Sequence, residues 1–130
     1  MIRITKLCSM LALIITTSAH AQEAAPQDTV AIGKKLTTNN CAVCHTFGKG
    51  EPNGQGPNLF GIVGRPLASE TGFKYSAGMK AAAAGKVWDE KLLDAWLTDT
   101  QTVAPGNAMT YFEGDEARRR KIIAYLRTLH

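Results

Sequence analysis

An all-α domain of three or four short helices joined by long loops is what this sequence predicts, and three observations carry that reading. Past residue 21 no stretch alternates apolar and polar side chains at period two, so little sheet is expected. Apolar residues instead recur at helical spacing twice, in Trp88, Leu92, Leu93, Trp96 and Leu97, and again in Ile122, Ile123, Leu126 and Leu129. Between such segments lie long stretches punctuated by glycine and proline.

The elements follow in chain order. Met1 to Lys6 carries Arg3 and Lys6 and no acid, and Leu7 to Thr17 is an apolar run too short to span a bilayer comfortably. Ala19-His20-Ala21 then supplies a small-x-small cleavage site, so residues 1–21 are predicted to be a cleaved secretory signal peptide and 22–130 a single domain. An uncleaved membrane anchor is the alternative, and the shortness of the run argues against it. Glu23 to Gln27 reads as a frayed lead-in. Asp28 is suited to cap a first helix running to about Thr38, inside which Gly33 suggests the close approach of another backbone.

Phe47 to Gly61 holds five glycines and two prolines and is expected to be loop. Ser76 can cap a short helix ending before Gly85. Asp89 and Glu90 open the Trp88–Leu97 helix with favourable charge in its first turn. Thr98 to Met109 reads as a second long loop, turned at Pro105-Gly106. Asp115 can cap the last helix, on which Arg118 to Lys121 reads as a solvated basic face.

The 130 residues include 15 Lys and Arg against 11 Asp and Glu. Loss of Arg3 and Lys6 with the signal leaves a net charge of +2, too weak to argue for nucleic acid or an anionic membrane. Loops this long are unusual in so small a domain unless they serve a site. About a hundred residues also gain from a further body that fills the core.

Cys41-Ala-Val-Cys44-His45 supplies the explanation, because Cys-x-x-Cys-His is the attachment signature of c-type haem. Each thiol adds to one haem vinyl group as a thioether, and His45 is directed at the iron. The sequence weighs against three rivals. A disulfide across two residues closes too small a loop to stabilise much. A redox dithiol expects a βαβ setting, and no strands are predicted to build one. A tetrahedral zinc needs four ligands, whereas past residue 21 only Cys41, Cys44, His45 and the terminal His130 are cysteine or histidine. For the sixth iron ligand the candidates are Met79 and Met109. The Pro105-Gly106 turn favours Met109, while Met79 fits core packing equally well.

With these residues in view, the chain resembles the class I cytochromes c of mitochondria and their bacterial relatives. The matching elements occur in family order: Gly33; Cys41 to His45; Gly56-Pro57-Asn58-Leu59 with Gly61, Gly64 and Arg65; Gly72-Phe73-Lys74-Tyr75-Ser76; Trp88; Pro105-Gly106-x-x-Met109; and Ile122 to Leu126. The resemblance implies the small cytochrome c fold, with first and last helices crossing at Gly33 and loops wrapped around one covalent haem c. It implies that His45 and Met109 are the axial ligands and that the Pro57 carbonyl accepts a hydrogen bond from His45. It further implies that Tyr75 and Trp88 bond a haem propionate and that Arg65 offsets propionate charge. Trp96 stands where the family often has tyrosine.

The function implied is that of a monomeric, exported one-electron carrier, not an enzyme, located in the periplasm with no permanent membrane anchor. Its implied partners are redox proteins such as a quinol–cytochrome c reductase, a terminal oxidase or a periplasmic dehydrogenase, and not nucleic acid. A haem-bearing dehydrogenase subunit and a minor peroxidase activity are the alternatives. Asn40, Gln101 and Ala108 occupy positions often lysine in mitochondrial members, which weakens the expected positive docking field to what Lys34, Lys35 and Lys49 supply.

Overall fold

A computed structural model describes residues 26–130, so the predicted signal peptide over residues 1–21 lies outside the described residues. Among those residues there are five helices and no strand, only the isolated bridges Pro66–Val87 and Asp99–Phe112. The helices are α1 (Pro26–Cys41), α2 (Ala77–Ala82), α3 (Glu90–Thr98), α4 (Thr100–Val103) and α5 (Glu116–Leu126). None is long and apolar enough to cross a membrane.

The predicted caps at Ser76 and Asp115 are formed, and Asp89, expected in the first turn, is itself the cap of α3. The Met79 amide donates to the Ser76 hydroxyl at 3.3 Å, and the Leu92 amide to Asp89 Oδ1 at 2.7 Å. At the start of α5, Asp115 Oδ1 receives both the Ala117 and the Arg118 amides. Such caps are each worth about 1 kcal/mol.

The helix α1 departs from expectation at both ends. It begins at Pro26, not at an Asp28 cap, and takes in Gln27 from the supposed lead-in. Proline's fixed φ and missing N–H suit a first turn, and Asp28 sits within that turn, where its charge complements the helix dipole. The far end runs past Thr38 to Cys41, so the attachment segment leaves directly from helical backbone. The expected loop over Thr98 to Met109 also contains α4, which Asp99 starts by accepting the Gln101 amide at 2.9 Å.

The first and last helices pack together at Gly33. A Cβ there would lie 1.9 Å from the Lys121 carbonyl oxygen, a backbone atom that cannot step aside. The helix α5 in turn packs on α3, and Ile122, wholly buried, lies at the centre of the core they share. The basic run does not form a uniformly solvated face. Arg119 is buried: its Nε donates to Asp94 Oδ1 at 2.7 Å, and its Nη1 to the Glu113 and Gly114 carbonyls at 3.0 and 3.2 Å. A guanidinium satisfied on several sides can be buried where a lone charge cannot. Arg118 and Arg120 are exposed as expected and pair with Glu113 and Glu116.

Candidate haem site

The helices and loops enclose a cavity of about 730 Å³. Its walls are mainly apolar, with Leu59, Ile62, Leu93, Leu97, Ile122 and Leu126 reaching it from three parts of the chain. Every residue singled out from the sequence opens onto it: Cys41, Cys44, His45, Pro57, Arg65, Tyr75, Trp88 and Met109. Met79, the competing methionine, lines it as well and is buried.

The attachment segment continues the helical path. The His45 amide donates to the Cys41 carbonyl at 2.8 Å, and the Cys44 amide to the same oxygen at 3.0 Å, which coils Cys41 to His45 into one turn. Both thiols are free, and Cys44 Sγ donates to Gln55 Oε1 at 3.1 Å. Burial pushes the Cys41 thiol up to about 11, and the neighbouring Cys44 adds to the rise. A redox dithiol needs a depressed thiol pKa, so this environment opposes that reading while leaving a thioether, which carries no charge, at no disadvantage.

His45 is fixed from two directions. Its Nδ1 lies 2.7 Å from the Pro57 carbonyl oxygen. A carbonyl only accepts, so Nδ1 carries the proton and Nε2 keeps a free lone pair, the state a metal-bound imidazole requires. Behind the ring stands Gly56, where a Cβ would come within 2.2 Å of Cε1 and 2.6 Å of Nδ1. Burial lowers the His45 pKa, against the hydrogen bond to Pro57, and so favours the neutral ring.

Met109 is half-buried in the loop after α4. Its amide donates to Asn107 Oδ1 at 2.8 Å. Its carbonyl receives the Thr100 hydroxyl at 2.7 Å and Gln101 Nε2 at 3.1 Å. Thr100 and Asn107 are buried and were not singled out from the sequence. The usable signal was polar residues on either side of Pro105-Gly106, in a loop otherwise short of apolar anchors.

Arg65 and Tyr75 meet through Glu70. Arg65 pairs with the Glu70 carboxylate and donates to the Asn58 carbonyl at 2.8 Å, while the Glu70 amide donates to the Tyr75 hydroxyl at 3.2 Å. Asn58, also buried and also missed as an individual residue, ties the preceding loop together by donating to the Thr46 hydroxyl and the Gly48 carbonyl. Trp88 and Trp96 stack edge to face, with centroids 5.4 Å apart, and both face the cavity.

The cavity fits a haem c on its own chemistry. An apolar chamber of this size is of the order that holds a whole cofactor. It carries two free thiols one turn apart, an imidazole with a free Nε2, and two thioether side chains.

Comparison with known proteins agrees. The family model for cytochrome c matches residues 30–130. The chain is 42% identical over 108 residues to cytochrome c2 of Rhodopila globiformis, covering 82% of this chain and 97% of that one. It is 37% identical over 111 residues to cytochrome c of Cannabis sativa, covering 84% and 96%. Among solved structures it resembles cytochrome cH from Methylobacterium extorquens, with a TM-score of 0.69 and 35% identity over 76% of this chain and 97% of that one. A cavity built around Cys41-x-x-Cys44-His45 and a match along nearly all the described residues thus lead to one assignment: the chain belongs to the cytochrome c family, whose members carry one covalent haem c.

Proposed function

We propose that this protein is a one-electron carrier of the periplasm whose iron is held between His45 and Met109. The observation that carries the reading is the convergence of Cys41, Cys44, His45 and Met109 on one apolar cavity. Bound haem supplies an iron that gains and loses a single electron.

The chain's own residues do the rest. Cys41 and Cys44 anchor the group as two thioethers. His45, oriented by Pro57, presents Nε2 as one ligand, and the Met109 sulfur supplies the other. A filled coordination sphere leaves no position for a substrate, which favours a carrier over an enzyme. The apolar walls keep water out and the two fixed ligands limit rearrangement, so electron transfer needs little reorganisation. Arg65, Tyr75 and Trp88 supply donors for the haem carboxylates, whose burial without partners would be costly.

Export follows from residues 1–21 read as a cleaved signal peptide, with Gln22 beginning a single domain. The partners fitting such a carrier are a quinol–cytochrome c reductase, a terminal oxidase or a periplasmic dehydrogenase, met in brief encounters that bury little surface.

Ligation is tested by substitution. Met109→Leu should abolish the weak far-red sulfur-to-iron band of the ferric protein, whereas Met79→Leu should leave it. A band that survives in the first variant and vanishes in the second would give the ligand role to Met79. Haem released by acid acetone would refute the thioether links.

A further inference from the structure

Met109 is held in an unusual way for a loop residue: the hydrogen bonds found at its amide and at its carbonyl all come from side chains. Asn107 Oδ1 takes the amide, and the Thr100 hydroxyl and Gln101 Nε2 share the carbonyl. The same three side chains bind the rest of the loop. Thr100 Oγ1 also accepts the Tyr111 amide at 3.2 Å, Gln101 Oε1 accepts the Gly106 amide at 3.1 Å, and Asn107 Nδ2 donates to the Thr100 and Ala104 carbonyls. Thr100 is wholly buried, so water cannot substitute for its hydroxyl.

We infer that Thr100, Gln101 and Asn107 form a polar clamp whose function is to hold the Met109 sulfur on the iron and so keep external ligands out. They are positioning residues, and the inference rests on the ligation proposed above. A sulfur–iron bond of this kind competes at all times with opening of its loop. Each hydrogen bond that exists only in the closed loop shifts that competition towards the closed state. Without the Thr100 hydroxyl, the Tyr111 amide loses its acceptor and the Met109 carbonyl one of its two donors. The open loop, solvated by water, loses nothing. The open fraction therefore rises, and any small ligand able to bind the exposed iron binds more tightly by the same factor.

The test titrates imidazole into ferric wild type, Thr100→Val, Thr100→Ser, Gln101→Leu and Met109→Leu, following loss of the far-red band and the accompanying Soret shift. Thr100→Val should bind imidazole about ten-fold more tightly than wild type, and Gln101→Leu several-fold. Thr100→Ser, which keeps the hydroxyl, should return the affinity to within about two-fold of wild type. A merely structural role would lower unfolding stability in Thr100→Val without moving the imidazole affinity of the folded protein. Affinities unchanged in both Thr100→Val and Gln101→Leu, with the far-red band absent only in Met109→Leu, would overturn the clamp and leave the ligand standing. If Thr100→Val does not fold, Gln101→Leu alone decides. Should Met109→Leu retain the band, the ligation and the clamp fall together.

Discussion

On the His45 side of the cavity the attachment turn and the contacts to the ring are set by main chain, and the Asn58 side chain ties the loop between them. Backbone bonds coil Cys41 to His45 into a turn, the Gly56 amide donates to the Cys44 carbonyl at 2.8 Å, and the Leu59 amide donates to the Thr46 carbonyl at 2.9 Å. The ring is then wedged between the Pro57 carbonyl and the bare backbone of Gly56. On the Met109 side the loop is fixed chiefly by the side chains of Thr100, Gln101 and Asn107. The difference teaches how one pocket can combine a rigidly held side chain with a releasable one. Backbone packing against a glycine has no tolerance for added atoms. A side-chain clamp can be weakened one hydrogen bond at a time.

The largest effect should come from breaking the first kind of wall. In Gly56→Ala the new methyl would sit 2.2 Å from His45 Cε1. The ring cannot yield without giving up its bond to Pro57, so either that bond or the loop must go. Overpacking typically costs 1–3 kcal/mol, and this position should reach about 3 kcal/mol or more, with a sharp fall in haem-loaded yield. Denaturant unfolding of the purified holoprotein measures it. A loss below about 1 kcal/mol would mean that the His45 side is as compliant as the Met109 side.

Asn107→Ala tests the second kind of wall and should be milder. The Thr100 carbonyl keeps the Ala104 amide and the Ala104 carbonyl keeps the residue 107 amide, so the Met109 amide is the group left without its partner. An orphaned buried donor costs about 1–3 kcal/mol. The loss should be local: amide hydrogen exchange at Met109 and Tyr111 should accelerate well before the exchange of the α1 and α5 core changes. Equal acceleration throughout the chain would show that the loop has no independent opening.

The same contrast decides what could be read from the sequence. The attachment turn was legible because its information is contiguous, whereas the Pro57 carbonyl, 12 residues from His45, came only with the family resemblance. A five-residue motif carries the attachment chemistry, and the caps at Ser76 and Asp115 each act within three residues of themselves. Gly33 was legible too, since a glycine inside a helix is unfavourable unless something approaches it. The Met109 clamp was not legible. Thr100 reaches Met109 across nine residues with no period linking them, and its role depends on burial that only the folded chain creates. Arg119 was missed for a related reason. A run of four basic residues looks uniform along the chain, but helical geometry turns one member inward to Asp94, 25 residues away. The start of α1 was misplaced because Asp28 is acceptable both as a cap and within a first turn, and Pro26 decided between them.

The smallest predicted effect compares the two sides through their tyrosines. Burial raises the pKa of Tyr75, near Arg65, and of Tyr111, two residues past Met109, above the ordinary 10.0. For Tyr75 the Glu70 amide and the Arg65 charge pull the other way and the Glu70 charge adds to the rise, while for Tyr111 the charges of Cys41 and Glu113 add to it and Arg118 opposes it. In the unfolded chain both phenols lose their protons near pH 10, whereas in the folded protein they keep them to higher pH. Above about pH 10 the folded state therefore binds more protons than the unfolded state, and stability falls as pH rises through the folded values. Below that range the contribution is fully present. Tyr111→Phe and Tyr75→Phe should each flatten this alkaline decline, because burial is the first cause of the rise at both. Unfolding midpoints of the two variants from about pH 9 to about pH 11 would show it. The same decline in both variants as in wild type would mean that neither phenol is kept from water as its surroundings require.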